Sequence, residues 1–135
     1  MDFTKSLAIA ASGLKAQSGR MRIIAENLAN ADSAPARGGA EPYRRKIPTF
    51  KSHFDREVGA SLVEVGRVGR DRSAFRTKHD PGHPAADAKG QVSMPNVNAL
   101  IENMDMREAQ RSYEANLNMV TTARKMVAQT LAILK

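Results

Sequence analysis

The chain has 135 residues, 41% of them hydrophobic, which is enough for one domain with a core of its own. It carries 21 basic and 14 acidic side chains for a net charge of +7, and it has no cysteine, so disulfide frameworks and thiolate chemistry are excluded. No stretch approaches the roughly 20 apolar residues of a membrane span. The start, Leu7–Gly13, looks faintly like a signal-peptide core, but its apolar run is too short and Asp2 cancels Lys5. If the protein leaves the cytoplasm, another export route is expected.

Residues 1–34 read as a helix. Apolar side chains recur at alternating steps of four and three, Phe3, Leu7, Ala10, Leu14, Met21, Ile24, Leu28 and Ala31, with Gln17 the one polar residue in the row. Leu7, Leu14, Met21 and Leu28 stand seven apart, the period of a coiled-coil seam and narrower than the stripe of an ordinary surface helix. Asp2 is placed to cap the first turn, and Asn30, Asp32 and Pro35 mark the end.

Residues 35–97 differ in kind. All six prolines, seven of the nine glycines and twelve of the 21 basic residues lie here, so most of the net charge belongs to this segment. Tyr43–Ile47 and Ser61–Val65 have strand character, punctuated by Gly66, Gly69 and the Asp80-Pro81-Gly82 turn, in which Gly82 permits a positive φ. Short β-hairpins and extended loops are expected.

Residues 98–135 repeat the helical design, with Met106, Ala109, Tyr113, Leu117, Val120, Ala123, Val127, Leu131 and Leu134 on one face. Pro95, Asn96 and Asn98 supply turn and cap chemistry; Glu102 and Asp105 near the start, and Arg124, Lys125 and Lys135 near the end, suit the helix dipole. The expected fold is α+β: long N- and C-terminal helices forming a coiled-coil layer, with a small β-hairpin and extended middle segment. At about 1.5 Å per residue the helices would run about 45 and about 57 Å, against a radius of gyration of about 14 Å for a compact chain of this size. Seams of that length call for partners outside the chain, and assembly is expected to order them more than folding does. Five of the seven methionines, Met21, Met104, Met106, Met119 and Met126, lie in these helices, where they suit contacts that vary between subunits or simply fill gaps in a helix pair.

Catalytic signatures are missing: there is no nucleophile elbow, phosphate-binding glycine loop or paired-carboxylate motif. His79, His83, Asp80 and Asp87 form the one cluster with metal or acid–base character, but two histidines around a Pro-Gly turn fall short of a zinc ligand set, and a rigid turn explains them better. No cofactor or metal is expected. Arg44, Arg45, Lys46, Arg67, Arg70, Arg72, Arg76 and Lys78 make a basic middle that could meet nucleic acid weakly, yet no recognition helix or RNA-binding pattern accompanies them. A face paired with acidic neighbours is the simpler reading. Asn27, Asn30, Asn116 and Asn118 either fix helix register between subunits or serve, Asn30 as a cap and the others as solvent-exposed side chains.

Ser12-Gly13-Leu14, Ala16-Gln17 and Ala25-Glu26-Asn27-Leu28-Ala29-Asn30-Ala31 resemble the N-terminal signature of flagellar rod, hook and filament-axis proteins. Tyr43-Arg44-Arg45-Lys46, the run Asp80-Pro81-Gly82-His83-Pro84, Met94-Pro95-Asn96-Val97-Asn98 and Arg111-Ser112-Tyr113-Glu114-Ala115-Asn116 are similar to the proximal-rod members of the flagellar basal-body rod family. The resemblance covers essentially the whole chain; His79 and Gln91 stand where the family pattern has tyrosine, and Ala86 where it has an acidic residue. It implies a non-enzymatic structural subunit of the rod that crosses the periplasm. Such a subunit is exported by the flagellar type III apparatus without a cleaved signal peptide, and it meets other rod proteins and the export-gate adaptor, with no nucleic acid and no membrane insertion. It also implies an inner layer from the terminal helices around an export channel. The interface residues expected on the seams are Phe3, Leu7, Leu14, Met21, Ile24, Leu28, Tyr113, Leu117, Val120, Val127, Leu131 and Leu134. A cytosolic coiled-coil adaptor, or a weak nucleic-acid binder, is the competing reading.

Overall fold

A computed structural model describes residues 2–134; Lys135, expected near the last helix turn, lies outside them. Helix α1 spans Phe3–Ala29 and helix α2 spans Ala99–Ile133. Three antiparallel two-stranded ladders lie between them in sequence: β1 (Lys46–Ile47) with β4 (Gly69–Arg70), β2 (Phe50–Asp55) with β3 (Ala60–Val65), and β5 (Arg76–His79) with β6 (Gln91–Met94). The fold class is α+β, as expected.

Both helix starts are set by the residues the sequence nominates. Asp2 Oδ1 accepts the amide protons of Thr4 at 3.1 Å and Lys5 at 3.3 Å, and Asn98 Oδ1 accepts those of Leu100 at 3.0 Å and Ile101 at 3.4 Å. At the end of α1 the Asn30 amide group turns back to donate to the Glu26 carbonyl at 2.8 Å. Arg124 and Lys125 sit more than two turns before the end of α2, so neither is on its last turn.

Packing divides the chain into two units. The first holds Met1–Met21, Pro48–Arg67 and Arg107–Lys135; the second holds Arg22–Ile47 and Val68–Met106. In the first unit, α1 and α2 run antiparallel. Gly13 lies against Asn116, whose Oδ1 would stand 2.8 Å from a Cβ at position 13, and Arg20 pairs with Glu108 at 3.2 Å. The β2–β3 hairpin lies alongside: the Val63 amide donates to Ser12 Oγ at 3.2 Å, and Val65 Cγ2 occupies the space beside Gly19 where a side chain would begin. The hairpin reverses through Gly59, whose φ of 66° and amide bond to the Asp55 carbonyl close the turn.

The second unit is built around Ile23, Ile24, Ala31, Val92, Met94 and Val97, all buried, with β5–β6 and β1–β4 around them. Of the stretch Tyr43–Ile47, only Lys46 and Ile47 pair as a strand. The Arg45 amide, next before them, is taken by Asn96 Oδ1 at 2.8 Å and not by a strand. The longest ladder instead joins Phe50–Asp55, a stretch too polar to read as a strand, to Ala60–Val65, which contains the expected run.

Candidate functional site

Which faces of the helices does the chain cover for itself? On α2 the covered positions are Glu102, Ala109 and Ala123, with half-buried Asn116 between them, four residues seven apart. On α1 they are Ala10, Ala16, Ile23, Ile24 and Asn27. Small side chains line the closest approach in the first unit because they let the backbones come together. The bulky residues are displaced to the flanks. Phe3, Leu7, Leu14, Met21, Leu28, Tyr113, Val120 and Val127 are only half-buried, and Ile24 alone of the twelve seam residues is fully covered. Leu117, Leu131 and Leu134 are 45%, 59% and 77% exposed, with Met119, Met126 and Ile133 also uncovered. The chain by itself therefore leaves many large apolar side chains of its C-terminal segment in solvent.

The second unit contains a polar clamp that the sequence did not disclose. Asn27 is fully buried and grips the Lys46 backbone at two points, Nδ2 donating to the carbonyl at 2.8 Å and Oδ1 accepting the amide at 2.9 Å. Tyr43 donates its hydroxyl to Asn27 Oδ1 at 2.8 Å, and Asn27 Nδ2 also reaches Glu102 Oε2 at 3.2 Å. Glu102, fully buried, accepts from Arg45 Nε; the same guanidinium faces Asp105 at 3.5 Å and Asp71 at 3.6 Å. Asn27 therefore fixes register inside its own chain, and it is not a solvated side chain.

The charges follow from this geometry. Burial and the nearby Glu26 and Glu102 carboxylates push the Tyr43 hydroxyl up to about 12. Burial on its own would lower Arg45, but the Glu102 hydrogen bond and the charges of Glu102, Asp71 and Asp105 outweigh it and hold the guanidinium above its ordinary value. Hydrogen bonds from the Ser73 backbone and hydroxyl, aided by Arg45, hold Asp71 below the usual carboxylate range despite some desolvation.

Much of the basic middle is used in the same way. Arg44 pairs with Glu41 at 2.7 Å and lies 4.2 Å over the Phe75 ring, Lys46 pairs with Glu26 at 2.5 Å, and Lys78 faces Asp80 at 3.9 Å. Arg76 donates to the Ala31 and Pro95 carbonyls at 2.7 and 3.0 Å and to Asp32 at 3.3 Å, while Arg67, Arg70 and Arg72 are exposed.

The signature run forms consecutive tight turns. The His83 amide donates to the Asp80 carbonyl at 3.1 Å and the Ala86 amide to the His83 carbonyl at 3.0 Å, with Pro81 and Pro84 setting φ at the second position of each turn. Asp87 Oδ1 accepts the amides of Lys89 and Gln91 at 2.8 and 2.9 Å. His83 Nδ1 accepts the Ala85 amide at 3.0 Å. Among the described residues no three His, Asp or Glu side chains converge as metal ligands. The glycine that needs a positive φ is Gly90, at 73°, and not Gly82; a Cβ on Gly90 would stand 2.9 Å from Pro81 Cβ.

The sequence of the chain matches known proteins. The family model "Flagella basal body rod protein" matches residues 7–35, and "Flagellar basal body rod FlgEFG protein C-terminal" matches residues 88–133. Fold and matches define the class: a structural subunit of the flagellar basal-body rod, which assembles with other rod components. Among the described residues no helix is long and apolar enough to cross a membrane. The flagellar basal-body rod protein FlgC of Agrobacterium fabrum is 54% identical over 127 residues, covering 94% of this chain and 91% of the relative. That of Escherichia coli O157:H7 is 39% identical over 93% of this chain and 92% of its own length, and that of Borreliella burgdorferi 34% identical over 100% and 99%. This chain belongs to the FlgC family.

Proposed function

We propose that the subunit lies in the proximal rod, where segments 1–34 and 98–135 form an inner coiled-coil layer around an export channel and segment 35–97 forms an outer layer. Packed side by side, such subunits make a hollow axial tube that transmits torque, since closely packed interfaces resist shear. The carrying observation is the set of uncovered apolar side chains along and just beyond α2, Leu117, Met119, Met126, Leu131, Ile133 and Leu134, on a helix whose covered side consists largely of small residues. The interface assigned to neighbours comprises Phe3, Leu7, Leu14, Met21, Leu28, Tyr113, Leu117, Val120, Val127, Leu131 and Leu134; Ile24 belongs to the same row but is already covered by its own chain, so neighbours add least there. Those neighbours are other rod proteins and the export-gate adaptor. The subunit reaches them across the periplasm through the flagellar type III export apparatus.

Leu14→Asp or Leu117→Asp is expected to block rod assembly and abolish swimming while the second unit stays folded. Normal motility in either variant overturns the interface. Circular dichroism of the dilute chain tests the accompanying idea that assembly orders the helices: partial helicity without a sharp melt is expected, and full helicity with a cooperative melt refutes it.

A further inference from the structure

The charges of the second unit do not balance. Glu26, Asp32, Glu41 and Asp80 each pair with one base of the unit, and Asp71, Glu102 and Asp105 share Arg45. Asp87, the one remaining carboxylate, is occupied by the amides of Lys89 and Gln91. Arg70 and Arg72 are left over: both are exposed, and among the described residues neither guanidinium has a carboxylate partner.

The two arginines share a face. The Asp71 amide donates to the Arg45 carbonyl at 2.9 Å, which holds the chain beside β1 for one residue past Arg70. Along this stretch exposure alternates, as side chains on extended backbone do. Gly69 lies against Ile47 and Asp71 faces Arg45, which leaves Val68, Arg70 and Arg72 on the outer side, with Val68 41% exposed. Directly across the ladder from Arg70 stands a second cation, Lys46, whose ammonium is held by Glu26. Like charges opposite each other on a ladder are unfavourable, and no carboxylate of the unit offsets the charge of Arg70.

We propose that this face docks on a different protein of the basal body, one presenting two carboxylates about 7 Å apart, the repeat of alternate residues on an extended chain. Each guanidinium takes a carboxylate through two parallel hydrogen bonds, and Val68 adds an apolar edge to the contact. A second copy of this chain is the wrong partner. Its second unit has no free carboxylate. In its first unit Asp2, Glu64 and Glu108 are paired, Asp55 caps the hairpin turn, and Glu57 and Glu114 stand singly in the turn and on α2. A phosphate polymer would engage the arginines and leave Val68 in water. The proposal rests on the reading of the chain as a rod subunit, and it names the chemistry of one neighbour.

Benzoylphenylalanine at position 68, in a flagellated strain lacking its own copy, reports the neighbour by photocrosslinking in isolated basal bodies. An adduct to a different protein is expected, at a peptide bearing two Asp or Glu residues two positions apart on a strand or four apart on a helix. Exposed and unpaired, the two arginines can be reversed without disturbing their own unit. Arg70→Glu with Arg72→Glu should cut the adduct yield about tenfold, because like charges then face each other across the contact. Replacing the two carboxylates of the partner by lysine should restore most of it. An adduct only to a second copy, to a peptide without carboxylates or to nucleic acid overturns the proposal. So does a yield that the reversal leaves unchanged, a loss that the exchange on the partner does not restore, or no adduct from basal bodies that contain the chain. In each of these cases the rod reading stands, whereas absence of the unsubstituted chain from basal bodies would overturn that reading itself.

Discussion

In the second unit, residues 22–29 of α1 and 99–106 of α2 are held by hydrogen-bonded and charged side chains, Asn27, Glu102, Arg45 and Asp105. In the first unit, residues 3–21 and 107–133 meet at Gly13, Ala10, Ala16, Ala109 and Ala123. A buried polar network is directional, and it fixes register without help from neighbours. A small-residue contact buries little apolar area, at about 0.8 kcal/mol per methylene, and leaves larger side chains such as Leu117 and Leu131 exposed. The difference teaches that the same two helices can be held by directional polar contacts in one unit and by small-residue packing in the other.

The largest effect expected is from Asn27→Leu. It strands the Lys46 backbone groups, the Tyr43 hydroxyl and a buried carboxylate at once, and should destabilise the second unit by about 3–5 kcal/mol. Hydrogen exchange should show protection at 22–29 and 99–106 exceeding that at 3–15 and 120–133 in the parent chain, with the excess lost in the variant. Uniform protection along both helices would break the comparison.

Next comes the turn. Gly90→Ala places a Cβ against Pro81 at a φ of 73° and should cost about 1–3 kcal/mol, whereas Gly82→Ala, near nothing but Asp80 Oδ1 at 4.0 Å, should change the denaturation midpoint little. A larger loss at Gly82 would contradict the structure. Gly13→Val should reduce helicity by pushing the first-unit helices apart, at about 1–2 kcal/mol, and Asn116→Ala should restore much of it by removing the atoms in the way. No coupling between the two substitutions would mean that the contact does not form in the free chain.

The smallest effects are in pH. The Tyr43 hydroxyl is raised, so its contribution is complete below its ordinary value of 10 and is lost as pH climbs through about 12; Tyr43→Phe should flatten the alkaline limb of a stability profile. Asp71 is lowered, so its contribution is complete above 3.8 and is lost as pH falls below; Asp71→Asn should flatten the acid limb.

The caps at Asp2 and Asn98, the two helices and the presence of short strands between them were legible in the sequence, whereas the division into units, which sets Pro48–Arg67 with parts of both helices, was not. The legible features depend on side-chain chemistry and spacing within a few turns of chain. The family pattern too was carried by short runs. The rest depended on residues distant in sequence. Nothing local distinguishes Asn27, which is clamped in a core, from Asn118, which is exposed, because the distinction is made by Lys46, Tyr43 and Glu102. Tyr43–Arg45 looks like a strand and is not one; within it the Arg45 amide is claimed by Asn96, a residue distant in sequence. Gly82 and Gly90 are indistinguishable as letters, and only the closure of β5 onto β6 across the turn forces the second into a positive φ. The sequence alone determined which faces are apolar and how often they recur. Tertiary structure decided which of those faces the chain covers for itself, because that depends on where small and hydrogen-bonding side chains let two helices meet.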